Sequence, residues 1–140
     1  IGMGVASQLA HERVAKGVLP AQMASRQERL ESALLKGIEG ARINGAEVPR
    51  VTATSSLTVP GLEAHLVLAY LDTLGIEASA GSACSANQIA PSPVLLAMGR
   101  TEEEASNTLR LSQGPETTDE EIDSVIAGVL EAVGTLRALR

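Results

Sequence analysis

The sequence predicts an α+β fold, in which a small, mostly antiparallel sheet is covered on one face by helices. Helical patterns occupy both ends of the 140-residue chain, whereas only short strand patterns lie between them. These strand patterns are too few and too short for a doubly wound parallel sheet. The length fits one small domain, so residues 1–140 are interpreted as a single unit.

The first half of the chain contains helical patterns followed by extended ones. In chain order, they cover residues 1–19 and 21–38 as helices and residues 41–43 and 51–57 as extended segments. Pro20 separates the helices because proline lacks the backbone N–H that a helix interior requires. The Asn44-Gly45 pair predicts a turn. Residues 51–57 alternate with a period of two and carry β-branched side chains, which is typical of a strand.

The second half alternates helices and strands around a segment of small and polar residues. It comprises a helix over residues 62–74, a short strand over 76–79, a loop over 80–90, a helix that begins at 92, a strand over 108–112 and a helix from 118 onwards. Gly75 ends the first of these helices, and Ser92 is expected to cap the second one with its hydroxyl. Two Thr/Glu pairs have capping-box spacing, at a short acidic turn and at the last helix: Thr101 with Glu104, and Thr118 with Glu121.

The composition argues against several classes of function. The formal net charge is −6 and the 11 basic residues are scattered, so the chain has no electrostatic footprint for nucleic acid. The apolar runs are too short to span a bilayer, and no signal peptide is visible. Cys84 is the only cysteine, which excludes an intrachain disulfide and favours a reducing compartment. We therefore expect a cytoplasmic protein that binds neither nucleic acid nor membranes.

Cys84 is the first candidate for chemistry. A structural cysteine normally lies on an apolar face and packs as a small hydrophobe. Cys84 lies instead among Gly, Ser and Ala in a predicted loop, where a thiol can be reached by a reactant. A chance surface thiol and a nucleophile are both compatible with this setting, and the residues alone leave the choice open.

Arg110 is the second candidate. It alternates out of phase with Leu109 and Leu111, so we expect it to leave the core face of its strand. An ordinary exposed arginine would look the same, whereas a functional one would bind a carboxylate with two parallel hydrogen bonds. His11 and His65 lack partners at metal-ligand spacing, so no metal site is predicted.

Residues 79–85, Ser-Ala-Gly-Ser-Ala-Cys-Ser, resemble the Ser-Gly-Ser-Ala-Cys-Thr/Ser signature of NifS/IscS-like cysteine desulfurases. Three further segments resemble landmarks of that family in the same order: Pro-Ser-Pro-Val-Leu at 91–95, Arg-Leu-Ser-Gln-Gly at 110–114 and Thr-Thr-Asp-Glu-Glu-Ile-Asp at 117–123. The resemblance covers essentially the whole chain and is firmest from Val51 onwards.

This resemblance implies the C-terminal small domain of a fold-type I enzyme of the class V aminotransferase superfamily, which depends on pyridoxal phosphate. It implies L-cysteine as the substrate, L-alanine as the product, Cys84 as the catalytic thiol that becomes a persulfide, and Arg110 as the ligand of the substrate carboxylate. The other residues that it assigns to the active-site loop are Ser79, Gly81, Ser82, Ala83 and Ser85. It further implies a sulfur-acceptor protein such as an iron–sulfur scaffold, a role in iron–sulfur cluster assembly, and a homodimeric full-length enzyme.

Two features lead us to expect that the chain is a piece of a longer enzyme. It begins at Ile1, inside a predicted helix. Its only lysines, Lys16 and Lys36, lie in helical patterns that do not resemble the cofactor-binding site of the family. The family carries that lysine in a large N-terminal domain, so the isolated chain is predicted to be inactive.

Two other functions remain open at this point. A related class V lyase would use the same scaffold on selenocysteine or cysteine sulfinate, and comparing product release from these substrates would separate it from a desulfurase. A non-catalytic module that carries sulfur or binds a desulfurase subunit would fold without a cofactor and would be colourless.

Overall fold

The computed structural model describes residues 2–16, 18–81 and 91–140. Its helices are α1 (Gly2–Lys16), α2 (Val18–Gly37), α3 (Ala64–Thr73), α4 (Pro93–Ala97), α5 (Glu102–Ser106) and α6 (Asp119–Ala138). Its strands are β1 (Arg42–Ile43), β2 (Thr54–Thr58), β3 (Ser79–Ala80) and β4 (Thr108–Ser112). The predicted α+β fold is confirmed. Among these helices, none is long and apolar enough to cross a membrane.

The strands form one sheet in the order β1-β2-β4-β3, and every neighbouring pair is antiparallel. The central strands β2 and β4 pair along their whole length, with Leu57 opposite Leu109 and Ser56 opposite Arg110. The edge strand β3 places Ser79 on the other side of Arg110. Arg110 therefore lies in a row with Ser56 and Ser79 across the sheet.

One face of the sheet forms the core together with α2, α3 and α6. Side chains alternate between the faces of a strand, so Leu57, Leu109 and Leu111 share this face, and all three are buried. The helices contribute Leu30, Leu34, Val67, Leu71, Ile122, Val129 and Val133, and Ile38 adds to them directly after the end of α2. The core therefore consists of aliphatic side chains from the sheet and from these helices.

The opposite face of the sheet carries polar side chains. Thr54, Ser56, Arg110 and Ser112 alternate with the buried leucines, and all are at least partly exposed. Helix α4 lies beside part of this face, because Val94 and Leu95 line a cleft together with Ser56 and Arg110. This polar face is where the candidate site lies.

Strand β2 begins at Thr54, so the predicted start at residue 51 is wrong. The carbonyls of the preceding residues are used elsewhere: Gln27 Nε2 donates to Val51 O at 3.3 Å, and Gln113 Nε2 donates to Thr52 O at 2.8 Å. Val51 is also 70% exposed. Residues 51–53 therefore do not form part of strand β2, although their alternating pattern is that of a strand.

Two other predicted boundaries shift for local reasons. Helix α2 begins at Val18, so Pro20 lies in its first turn, where a missing N–H costs no helical hydrogen bond. Strand β3 begins only at Ser79 because Ile76 belongs to the end of α3, where its N–H donates to Leu71 O at 3.0 Å. With Gly75 at φ +72°, this is a Schellman motif.

The predicted caps are confirmed at two of three helices. The hydroxyls of Thr101 and Thr118 accept from the backbone N–H of Glu104 and Glu121, and both glutamates return the bond. The acidic turn after Thr101 is the helix α5. Ser92 occupies the N-cap position of α4 but its side chain makes no capping hydrogen bond, so that expectation is wrong.

Candidate active site

Arg110 projects from the centre of β4 onto the polar face of the sheet. Its neighbours across the strands, Ser56 and Ser79, have short side chains that leave the guanidinium accessible. Arg110 is partly exposed, whereas Leu109 and Leu111 beside it are buried. The prediction that Arg110 leaves the core face is confirmed.

The guanidinium of Arg110 donates from Nη1 to the backbone carbonyl of Gly81, at 3.3 Å. Among the described residues it forms no ion pair with a carboxylate. The sequence of residues 82–90 contains no Asp or Glu either. A positive charge on an open face without a carboxylate partner is suited to binding an anionic group of a ligand.

Two concave surfaces meet at Arg110. A cleft of about 210 Å³ lies between the polar face and α4, and its lining includes Ser56, Gly81, Ser92 and Arg110. A wider groove of about 770 Å³ lies along the edge of the sheet, where Ser79 and Arg110 face residues of α3. The guanidinium is therefore reachable from two sides.

The floor of the cleft rests on a network of buried hydroxyls. Thr108 lines the cleft, and its Oγ1 lies 2.7 Å from Oγ1 of Thr58. Asn44 donates from Nδ2 to Thr58 Oγ1 at 2.9 Å and to Ser56 Oγ at 3.2 Å. All of these residues except Ser56 are buried, so the network holds the strands beneath the cleft in one register.

The chain lines this cleft where it leaves the sheet and again just before α4. Gly81 directly follows β3 and lines the cleft, and Ser92 lines it just before α4 begins. Cys84 lies between them in the sequence, together with Ser82, Ala83 and Ser85, and these predicted site residues lie outside the described part of the chain. The described site residues Ser79, Gly81 and Arg110 lie together.

Sequence reasoning did not identify Ser56, Thr108 or Ser92 as lining residues of the site. Ser56 and Thr108 have the same alternation as Arg110, so their face was readable from the sequence. Their proximity depends on the pairing of β2 with β4, which no local pattern encodes.

Glu31 is the most enclosed carboxylate that the structure shows, and it lies behind β2. Arg50 donates to it from Nη1 and Nη2 at 2.7 and 2.6 Å, and Ser55 Oγ donates at 2.6 Å. Burial raises the pKa of Glu31, but the hydrogen bonds from Arg50 and Ser55 outweigh it and hold the pKa below its usual value. Because both oxygens are satisfied, we assign this pair to structure.

Neither a metal nor a covalently bound cofactor finds its ligands among the described residues. No group of three His, Cys, Asp or Glu side chains in this part of the chain is arranged to hold a metal ion. A Schiff base with pyridoxal phosphate needs a lysine. Lys36 is exposed in the last turn of α2, and Lys16 ends α1, so neither belongs to the strands that form the polar face.

The sequence matches the family model described as aminotransferase class V over residues 3–125. The chain belongs to this family. The predicted family is therefore confirmed, and the polar face around Arg110 is the face of a class V aminotransferase sheet.

Curated proteins similar to this class V chain include a cysteine desulfurase of Klebsiella pneumoniae and an IscS-like cysteine desulfurase of Mycobacterium tuberculosis. Each is 34% identical to it, over 139 and 138 residues, which is 99% and 98% of this chain. The matched regions make up 34% and 35% of those relatives. The chain thus spans about a third of the length of the curated relatives it matches.

A solved structure shows the same fold. The NifS-like protein from Rickettsia africae ESF-5 superposes with a TM-score of 0.71 at 29% identity, covering 82% of this chain and 29% of that one. The resemblance to NifS/IscS-like cysteine desulfurases, predicted from the four sequence landmarks, is confirmed.

Proposed function

We propose that this chain is the small-domain part of a cysteine desulfurase, which removes sulfur from L-cysteine and gives L-alanine by way of a persulfide on Cys84. The proposal concerns the protein to which the chain belongs, since the matched relatives are about three times as long. Their names support the reaction, and the geometry of the polar face supports the roles of individual residues.

The observation that carries the proposal is the placement of Arg110. Its guanidinium lines a cleft together with Gly81 and Ser92, and it has no carboxylate partner among the described residues. Arginine binds a carboxylate through two parallel, charge-assisted hydrogen bonds. We assign to Arg110 the carboxylate of the amino-acid substrate.

Cys84 is within reach of this cleft along the chain. It follows Gly81 by three residues, and three extended residues span at most about 11 Å. In the proposed reaction, the Cys84 thiolate attacks the sulfur of L-cysteine, so an S–S bond forms as the Cβ–S bond of the substrate breaks. The carbon gains a proton, L-alanine leaves, and the persulfide remains. Atoms and electrons balance without an oxidant.

Pyridoxal phosphate supplies an electron sink when it is bound. The described residues of this chain do not offer the lysine that anchors it. We propose that the anchoring lysine lies in a part of the protein outside these 140 residues, and that the isolated chain is inactive.

The downstream partners are proposals of the same kind. Relatives with the IscS name support an acceptor protein such as an iron–sulfur scaffold for the sulfur on Cys84. The homodimeric state and the cytoplasmic location of the full-length protein stay predictions.

The decisive experiment is mass spectrometry of the peptide that contains Cys84. The longest natural form of the protein is loaded with pyridoxal phosphate and given L-cysteine without reductant. The peptide should gain one sulfur atom, and L-alanine should appear. Cys84→Ala is the matched control, and it should form neither the persulfide nor catalytic amounts of alanine.

An unmodified Cys84 in a cofactor-loaded protein that consumes L-cysteine would contradict the proposal. A protein that turns over selenocysteine or cysteine sulfinate without modifying Cys84 would instead be a related class V lyase. Comparing alanine release from these three substrates at equal concentration separates the two outcomes.

A further inference from the structure

Arg110 borders two concave surfaces that differ in charge. The wider groove is also lined by Asp72 and Glu77, and both of these carboxylates are exposed. In the described part of the chain, Arg110 is the only charged residue that lines the smaller cleft between the polar face and α4. An anionic group in the groove is repelled by the two carboxylates, whereas in the cleft it meets the positive charge of Arg110 alone. The cleft is therefore the side from which an anion binds.

Ser56 lies beside Arg110 in this cleft. The two residues are opposite each other on β2 and β4, and both line the cleft. The Cβ atoms of such a pair are about 5 Å apart. The cleft has a volume of only about 210 Å³. A group that binds the guanidinium from inside the cleft is therefore also within reach of the Ser56 hydroxyl.

The hydrogen bonds beneath the cleft have a fixed direction. Thr108 Oγ1 donates to the carbonyl of Glu104 at 2.6 Å, and a carbonyl can only accept. Because this bond uses the hydroxyl proton of Thr108, the hydroxyl of Thr58, 2.7 Å away, donates to Thr108 Oγ1. Thr58 Oγ1 can then only accept from Asn44, whose Nδ2 lies at 2.9 Å. Asn44 thus faces β2 with its amide nitrogen and not with its amide oxygen.

The same amide nitrogen orients the hydroxyl of Ser56. Asn44 Nδ2 donates to Ser56 Oγ at 3.2 Å, so this oxygen accepts on the side of Asn44. Asn44 is only 6% exposed, which limits competition from water for the bond. No acceptor for the Ser56 proton lies among the described residues, and a hydroxyl that accepts a hydrogen bond is a stronger donor. Ser56 can therefore donate into the cleft, whereas the proton of Thr108 is already used.

We propose that Ser56 is a second ligand of the substrate carboxylate: its hydroxyl donates a hydrogen bond to the carboxylate in the cleft, beside the guanidinium of Arg110. Asn44 is a positioning residue that acts through Ser56, because it holds the hydroxyl oxygen so that the proton points into the cleft. The carboxylate as ligand rests on the proposed function, whereas the orientation of the hydroxyl does not. A bond that is equally strong in the bound substrate and in the transition state raises affinity without changing kcat.

The test measures the affinity of two probes for the longest natural form of the protein, loaded with pyridoxal phosphate. L-Alanine carries a carboxylate, and ethylamine is the same molecule without it. Ser56→Ala should raise the Kd of L-alanine in calorimetric titrations by roughly 10- to 100-fold, the effect of one hydrogen bond to a charged group, and leave that of ethylamine unchanged. The KM for L-cysteine should rise while kcat stays the same. Ser56→Thr keeps the hydroxyl and should bind L-alanine as the wild type does.

A second variant tests the role of Asn44. Asn44→Ala should weaken the binding of L-alanine by roughly 2- to 10-fold, because the Ser56 hydroxyl is then free to turn away from the cleft. In the background of Ser56→Ala, the same replacement should weaken binding no further, because both changes act through one hydroxyl. Ser124→Ala is the matched control, since its hydroxyl donates to the carbonyl of Glu120 at 2.9 Å on the exposed surface of α6. It should leave both dissociation constants unchanged.

Wild-type affinity of Ser56→Ala for L-alanine would overturn the proposal. An equal loss of affinity for L-alanine and ethylamine would overturn it as well, because the hydroxyl would then not act on the carboxylate. If Asn44→Ala still weakens the binding of L-alanine in the Ser56→Ala background, Asn44 does not act through Ser56. Failure of the proposed function has a different signature, because Cys84 of the wild type would then gain no sulfur from L-cysteine, whatever the affinities of the two probes.

Discussion

At the scale of single residues, Glu31 and Arg50 form an ion pair that is largely shielded from solvent. The side chains are 11% and 26% exposed, so solvent screens them less than the other ion pairs of the described residues. Arg50 binds both carboxylate oxygens, and Ser55 adds a third hydrogen bond. The pair fastens α2 to the segment that leads into β2.

Glu31→Gln should lower the free energy of unfolding by about 1–3 kcal/mol, because Arg50 loses its charged partner in a poorly hydrated place. Urea denaturation at pH 7 measures the change. Glu28→Gln, on the exposed side of the same helix, is the control and should change stability by less than about 0.5 kcal/mol. Equal midpoints for the two variants would show that the ion pair contributes nothing measurable.

Single residues also show how far the sequence predicts the site. The phase of Arg110 follows from two buried leucines beside it, and the structure confirms that phase. Its contact with Gly81 could not be predicted from the sequence. That contact requires β3 and β4 to be neighbours in the sheet, and helices separate these strands in the chain. The assignment of Arg110 to a carboxylate rests on family resemblance, since alternation alone describes many exposed arginines.

At the scale of elements, local chemistry predicts helix ends better than strand ends. The capping boxes at Thr101 and Thr118 involve residues that are close in sequence, and both form. Strand β2 begins late because two glutamines, Gln27 on α2 and Gln113 after β4, take the carbonyls before it. Those partners come from other elements, so the alternating pattern alone could not reveal them.

Helix α6 offers a matched test of packing, because it contains one buried and one exposed glycine. A Cβ on Gly128 would meet Ile76 Cδ1 and approach Leu71 Cδ2 to 3.5 Å, whereas a Cβ on Gly134 would meet nothing within 4 Å. Gly128→Ala should cost about 1–3 kcal/mol of unfolding free energy through overpacking. Gly134→Ala should stabilise the protein by about 1 kcal/mol through helix propensity.

Thermal or urea unfolding of the two variants measures the difference. Helix propensity acts equally at both positions, so any gap between them reports the contact of α6 with the end of α3. Equal stabilisation by both alanines would mean that Ile76 moves aside at no cost and that this contact is loosely packed.

At the scale of the whole molecule, three acidic residues of the described part of the chain have a lowered pKa, and each joins two parts of the fold. For Glu31, hydrogen bonds from Arg50 and Ser55 outweigh burial, which raises the pKa. The backbone N–H of Thr101 and then Arg42 lower the pKa of Glu104, and Arg26 lowers that of Asp119. These contacts connect α2 to β2, α5 to β1 and α6 to α2.

The strand order is also a property of the whole molecule, and the sequence did not predict it. The order β1-β2-β4-β3 brings the last strand of the chain into the centre of the sheet. In the centre of the sheet, Leu109 and Leu111 are buried against α2, α3 and α6. This packing involves residues far apart in the sequence, so the periodicity of β4 alone does not predict it. The geometry of the candidate site depends on this strand order, because Arg110 lies on the central strand β4.

The lowered pKa values predict how the stability of the molecule depends on pH. A carboxyl group whose pKa is lower in the folded state stabilises the fold above its ordinary pKa, which is 4.5 for Glu and 3.8 for Asp, and loses that effect as the pH falls. The net charge of −6 acts in the opposite sense, because repulsion relaxes as the pH approaches the isoelectric point near 4.9. The free energy of unfolding should therefore change little between pH 7 and about pH 5 and fall steeply below about pH 4.5.

A triple variant should lose less stability as the pH falls below about 4.5, which urea titrations at each pH would measure: Glu31→Gln, Glu104→Gln and Asp119→Asn. An equally charged control triple should keep the steep limb: Glu28→Gln, Glu103→Gln and Glu120→Gln. If both triples lose stability with the same slope below pH 4.5, the acid sensitivity comes from overall charge and not from these three contacts.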